Sequence, residues 1–150
     1  MSINLAEKLT APEIRRDVVK ACVDLVESEV ANKSGLSGMA IKAGYKVVKA
    51  LKPGMIPGAV DTLLPEFAAA MQPLYEKASE GETDPKAAFP EYLNTHADET
   101  ADALLKVTDA KADRAKNKTV KKTYDRLRGS ARENVRAAVP GLAKALTPFL

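Results

Sequence analysis

The chain has 150 residues, 45% of them hydrophobic, with three Phe, four Tyr and no Trp. One core built from Leu, Val, Ile and Ala is therefore within reach, and a sheet stiffened by aromatic residues is not. The formal net charge of +3 conceals two opposed blocks: residues 61–110 hold three Lys and no Arg against eleven acids, and residues 111–150 hold six Lys and five Arg against three acids.

In chain order, the first helix is expected to open at Thr10, where Thr10 and Glu13 form a capping box with Pro12 in the first turn. Ile14, Val18, Cys22, Leu25, Val26 and Val30 then share one face, away from Arg15, Arg16, Lys20, Asp24 and Glu27, until Asn32 to Gly35 end the pattern. Ser37 is placed to cap a second helix with Ile41, Tyr45 and Val48 on one stripe and Lys42, Lys46, Lys49 and Lys52 around another, stopped by Pro53 and Gly54. Its Ala40, Ala43 and Gly44 leave room for a neighbouring backbone, which predicts a central position.

Pro57 suits the first turn of the next helix, whose apolar face runs through Val60, Leu63, Leu64 and Phe67. Pro65 is expected to divide it into two joined helices, the second passing Met71 and Leu74 with a kink at Pro73. Residues 79–84 read as the main exposed loop. Asp84 and Pro85 open a short helix around Phe89, Tyr92 and Leu93, and Thr95 with Asp98 caps another carrying Ala101, Leu104, Leu105 and Thr108. After a turn at 117–119, Val120, Tyr124, Leu127, Ala131, Asn134 and Ala138 form a heptad-like stripe. Pro140 and Gly141 are expected to break it, leaving Leu142, Leu146 and Phe149 in a short closing helix. The pattern predicts an all-α, single-domain compact bundle over residues 1–150, with about six to eight helices, several of them Pro-started or Pro-kinked.

Few residues point to chemistry. His96 is the sole histidine; even with Asp98, Glu99 and Asp102 nearby it supplies half a metal site, so no metal and no cofactor are expected. Cys22 is the sole cysteine and lies on an apolar stripe, where burial favours a packing role over a nucleophile. Gly35-Leu36-Ser37-Gly38 precedes a helix but matches neither a Walker loop nor a dinucleotide fingerprint. No catalytic residue is assigned, and no small-molecule ligand can be inferred.

The basic block is the strongest candidate surface. Lys111, Arg114, Lys116, Lys118, Lys121, Lys122, Arg126, Arg128, Arg132 and Arg136 spread along a turn and a helix that could follow a phosphate backbone. The competing reading packs this helix on the acidic block, with Asp98, Glu99, Asp102 and Asp109 as partners, and it is preferred because the overall excess of positive charge is small. A third reading, peripheral contact with an anionic membrane through residues 39–52 and 142–150, is less economical than placing both segments in the core. Self-association through the stripe from Val120 to Ala138 is an option that bundle packing satisfies equally well.

With one thiol, no basic-then-apolar order in the opening MSINLAEKLT and no run approaching the ~20 apolar residues of a membrane span, a cytoplasmic setting is expected. The stretch Lys33-Ser34-Gly35-Leu36-Ser37-Gly38 leading to Ala40-Ile41-Lys42, followed by Lys52-Pro53-Gly54, Ala59-Val60-Asp61, Leu63-Leu64-Pro65 and Phe67, resembles a family of small bacterial proteins known only as a domain of unknown function. Ala101 to Ala112, with Leu104, Leu105 and Asp109, fits the same pattern. The resemblance implies a bacterial cytosolic protein and carries no activity, cofactor or site. The expected role is that of a non-catalytic helical binding or scaffolding protein with an unknown protein partner, nucleic-acid binding being the alternative.

Overall fold

A computed structural model describes residues 4–32, 35–51, 54–80 and 84–150. Seven α-helices are present among these residues: α1 (Leu5–Leu9), α2 (Arg15–Asn32), α3 (Gly35–Leu51), α4 (Met55–Ala78), α5 (Pro85–Thr95), α6 (Ala97–Asp113) and α7 (Lys118–Leu146), closed by a 3-10 turn at Thr147–Phe149. The chain is an all-α, single-domain bundle. The expected breaks near residues 33–34 and at Pro53, and the tip of the expected loop at 81–83, lie outside the described residues.

The two longest helices, α4 and α7, organise the bundle. Each packs against α2, α3, α5 and α6, and among the described residues these shared neighbours hold the two apart in place of a broad α4–α7 face. Full burial is concentrated in one half: Leu5 and Leu9 of α1, Ala68, Met71, Leu74 and Tyr75 of α4, Phe89 and Leu93 of α5, and Val139, Ala143 and Leu146 of α7. Phe89 meets Tyr75 edge to face, with ring centroids 5.1 Å apart, the geometry that aromatic quadrupoles prefer. The other half is looser. No described side chain of α3, and none of α7 before Val139, is fully buried.

Several expectations are corrected. Pro65 does not divide α4, which runs unbroken through both Pro65 and Pro73. A proline lacks the N–H that would bond the carbonyl four residues back. At Pro65 that carbonyl belongs to Asp61, and Arg15 of α2 takes it, donating from Nη2 at 2.9 Å while its Nε bonds the Asp61 carboxylate at 2.7 Å. Pro140 likewise leaves α7 intact, because Val139 and Ala143 on either side are buried and hold the helix down. Gly141 faces α2 closely: a Cβ at this position would lie 2.6 Å from Leu25 Cδ1, so a side chain here would have to displace the end of the Leu25 side chain.

The helix starts also differ. A five-residue helix, α1, precedes Thr10, whose hydroxyl bonds back to the Ala6 carbonyl and caps nothing downstream. Asn4 caps α1 through Glu7 N–H at 3.0 Å, and Gln72 of α4 accepts the Leu5 N–H at 2.8 Å. Thr95 behaves as Thr10 does, its hydroxyl donating to the Glu91 carbonyl at 2.9 Å. The chain turns from α5 to α6 at His96, whose ring stacks on Tyr92 at 3.9 Å. Asp84 caps as expected, accepting from Lys86 N–H, and Asn117, in the expected turn, caps α7 by accepting from Thr119 and Val120 N–H. The helix α3 begins at Gly35, before Ser37, and it is not central. Its Gly44 admits Leu127 and Thr123 of α7, each 3.0 Å from where a Cβ would sit, yet its opposite face is open to solvent.

Candidate functional site

The opposed charge blocks meet along α6 and α7. Arg128 grips Asp109 with two bonds, 2.8 and 3.1 Å; Arg132 grips Asp102 at 2.7 and 3.3 Å; Arg136 reaches Asp98 at 3.1 Å. Each arginine is one helical turn from the next, and so are Asp98 and Asp102, so two i, i+4 ladders run side by side. Tyr124 adds its hydroxyl to Asp109 and shares a 2.8 Å bond with Thr108. The Arg128 bonds, helped by the tyrosine hydroxyl, hold the Asp109 carboxyl below its ordinary value, and the Arg132 bonds do the same for Asp102.

A carboxylate depressed in the folded chain stabilises it above the unfolded value, about pH 4, and that contribution disappears as pH falls through the folded value. Acid denaturation should therefore include the release of this clamp. Asp109→Asn is expected to leave stability less dependent on pH below about 4 than it is in the parent chain, as urea midpoints measured between pH 5 and 2 would show. An unchanged slope would mean that the ladder contributes nothing to the acid limb.

Of the basic residues singled out from the sequence, Arg128, Arg132 and Arg136 are thus engaged with α6. Lys111, Arg114, Lys118, Lys121, Lys122 and Arg126 stay exposed, Arg114 donating from Nε to the Ala110 carbonyl at 3.3 Å. The stripe from Val120 to Ala138 is turned inward: Leu127 meets Gly44, Tyr124 meets Asp109, and Asn134 and Ala138 face an interior space. The Leu142–Leu150 segment also packs on the core, with Leu146 buried.

That interior space is what sequence reasoning missed. Between α4 and α7, where the densely packed half meets the looser one, lies a partly open cavity of about 360 Å³. The helix α2 contributes Cys22, Leu25, Val26 and Val30; α4 contributes Val60, Leu64, Phe67 and Met71; α6 contributes Leu104 and Leu105; α7 contributes Val135, Ala138, Val139 and Leu142; Ile41 comes from α3 and Leu9 from α1. Glu29, Thr108 and Asn134 are the polar residues of the wall besides Cys22, and almost none of their polar surface faces the space. Asn134 donates to Ser130 Oγ at 3.3 Å, and half of its amide is unused among the described residues. Burial pushes the Cys22 thiol above its ordinary value, which makes it a poor nucleophile.

A void of this kind is unfavourable. Closed apolar voids cost about 24 cal/mol per Å³, so even a part of this space left empty would be a sizeable fraction of a typical domain's stability of about 5–15 kcal/mol. Carbon walls give water too few partners to fill it well. Nearly every lining residue lies on a stripe read from sequence as core; the only compositional signal was the shortage of large side chains, with seven aromatic residues in 150.

Gly38, the last residue of the glycine-rich stretch, is buried, while the side chains of residues 35–37 fall outside the described set. Among the described residues no cluster of three or more His, Cys, Asp or Glu side chains is arranged to hold a metal, and no helix is long and apolar enough to cross a membrane.

The chain belongs to a family of unknown function (DUF6918), whose profile matches residues 5–150. No curated protein and no solved structure matches it.

Proposed function

We propose that this member of the family is a non-catalytic binding protein that holds a small apolar molecule in the cavity between α4 and α7. The observation that carries the reading is the lining itself: about 360 Å³ of partly open space walled almost wholly by aliphatic and aromatic carbon from six helices. Pockets that bind small molecules are of this size and predominantly apolar, and a wall this free of polar surface selects an apolar ligand. The titratable groups in the wall are one carboxylate and one thiol made less acidic by burial, a poor set for acid–base or nucleophilic work. A bacterial cytoplasmic location belongs to the same proposal, supported by the resemblance noted above and by a single cysteine, too few for the disulfide framework of a small secreted domain.

Cys22 makes the test direct, because it is the only cysteine and it lines the cavity. A neutral thiol reagent should modify it slowly, and saturating concentrations of a long-chain alcohol or fatty acid should slow the reaction at least ten-fold while raising the thermal midpoint. Modification at an unchanged rate with no thermal shift, across acyl chains of several lengths and a compact aromatic probe, would reject the cavity as a binding site.

A further inference from the structure

We infer that the outer face of α3 docks on an anionic lipid bilayer. Among the described residues two large apolar side chains are left exposed, Met39 (68%) and Val47 (41%), and both are on this one helix. At 100° per residue Met39, Ala43, Val47 and Ala50 fall on one outward side, and all four are exposed. Lys42, Lys46 and Lys49 flank them, also exposed, and α3 contains no Asp or Glu.

The inner side is occupied. Ile41 lines the cavity, Gly44 receives Leu127 and Thr123 of α7, and the Tyr45 hydroxyl bonds Glu27 of α2 at 3.3 Å. Lys49 leans over the Tyr45 ring and lies 3.8 Å from Glu27, leaving Lys42 and Lys46 as the two lysines without a partner among the described residues. The neighbouring helix extends the charge. Arg126, beside the Leu127 that touches α3, is exposed on the flank of that contact.

Apolar side chains set among lysines, with no acid on the helix, match the chemistry of a headgroup surface: the lysine ammonium groups meet phosphate while Met39 and Val47 enter the acyl boundary. A nucleic acid would use the same cations and give Met39 and Val47 no apolar medium. An acidic protein would need to supply an apolar pocket as well. The docking surface does not require the cavity to be filled, so the two proposals fail separately.

The chain has no Trp, so Met39→Trp places a single reporter at the expected point of entry. Its emission should shift to the blue with phosphatidylcholine vesicles containing phosphatidylglycerol, and should not with phosphatidylcholine alone. In co-sedimentation, full-length protein should bind the anionic vesicles and lose at least ten-fold in affinity when salt is raised from 50 to about 300 mM. Met39→Ser with Val47→Ser, and separately Lys42→Gln with Lys46→Gln, should each weaken binding by five-fold or more. Lys86→Gln with Lys144→Gln, on exposed lysines of other helices, should not. All of these positions are solvent-exposed, so unchanged circular dichroism is expected to accompany each result. An unshifted tryptophan, equal binding to neutral vesicles, or indifference to both α3 double variants would overturn the inference, and so would tighter binding to duplex DNA abolished by the same lysine variants.

Discussion

Phe89→Ala is expected to destabilise the protein by about 3–5 kcal/mol, the range for truncating a fully buried aromatic ring. Phe89 is 0% exposed and rests edge-on against Tyr75. The helix that carries it has little else to hold it in place: α5 is eleven residues long, has Pro90 in its interior, and buries only Leu93 besides Phe89. Isolated helices shorter than about 12–15 residues are marginal in water, so α5 depends on this anchor. The lost ring would also leave a gap against α4 and the end of α7, the two helices on which α5 packs. Urea unfolding should show the midpoint falling with little change in slope. Met39→Ala, at the most exposed large apolar position, should stay within about 0.5 kcal/mol of the parent chain. A cost below about 1 kcal/mol for Phe89→Ala would mean that the densely packed half is not where the stability resides.

The contrast between these positions shows what could be read from sequence. Helix identity was legible in the spacing of apolar residues, because the face a residue occupies is fixed by 3.6-residue geometry. Asp84 was legible as a cap because a proline suited to the first helical turn follows it and no helical pattern of apolar residues leads into it. Thr10 and Thr95 were misread for the opposite reason. Each ends a helix, and a threonine hydroxyl there can bond the carbonyl four residues back as readily as it can cap the next segment. The preceding helix α1, at five residues, was too short to show a period.

The prolines were misjudged because their effect is local while its compensation is not. One missing hydrogen bond at Pro65 is a reason to end a helix only if the Asp61 carbonyl finds no other donor, and Arg15, 46 positions earlier in the chain, supplies one. The charge blocks were visible and so was their complementarity; the register that joins Arg128 to Asp109 and Arg132 to Asp102 follows from how α6 and α7 cross, which spacing within one helix does not contain. The cavity was invisible in a deeper sense. A periodic pattern says which side of Leu25, Phe67 or Ala138 turns inward, and it says nothing about whether the inward sides meet.

Whether they meet is what Ala138→Phe examines. Ala138 lines the cavity from α7, opposite wall residues of α4 such as Val60 and Phe67. The added ring would occupy part of the 360 Å³ and cover apolar surface in a space that the protein leaves unfilled. A buried ring gains about 1.5–3 kcal/mol over an exposed one, less whatever strain the neighbours impose, so stability should hold or rise by about 1 kcal/mol. An alanine replaced by phenylalanine in a close-packed core would instead lose about 1–3 kcal/mol, so the sign of the change separates a real space from a filled one. The same variant should weaken binding of an acyl probe at least ten-fold and abolish its protection of Cys22, because the ring and the probe compete for one volume. Stability lost with probe binding retained would place the probe elsewhere and close the cavity as a site; stability kept with binding lost would tie the two together, since a surface-bound probe has no reason to respond to a residue on the inner face of α7.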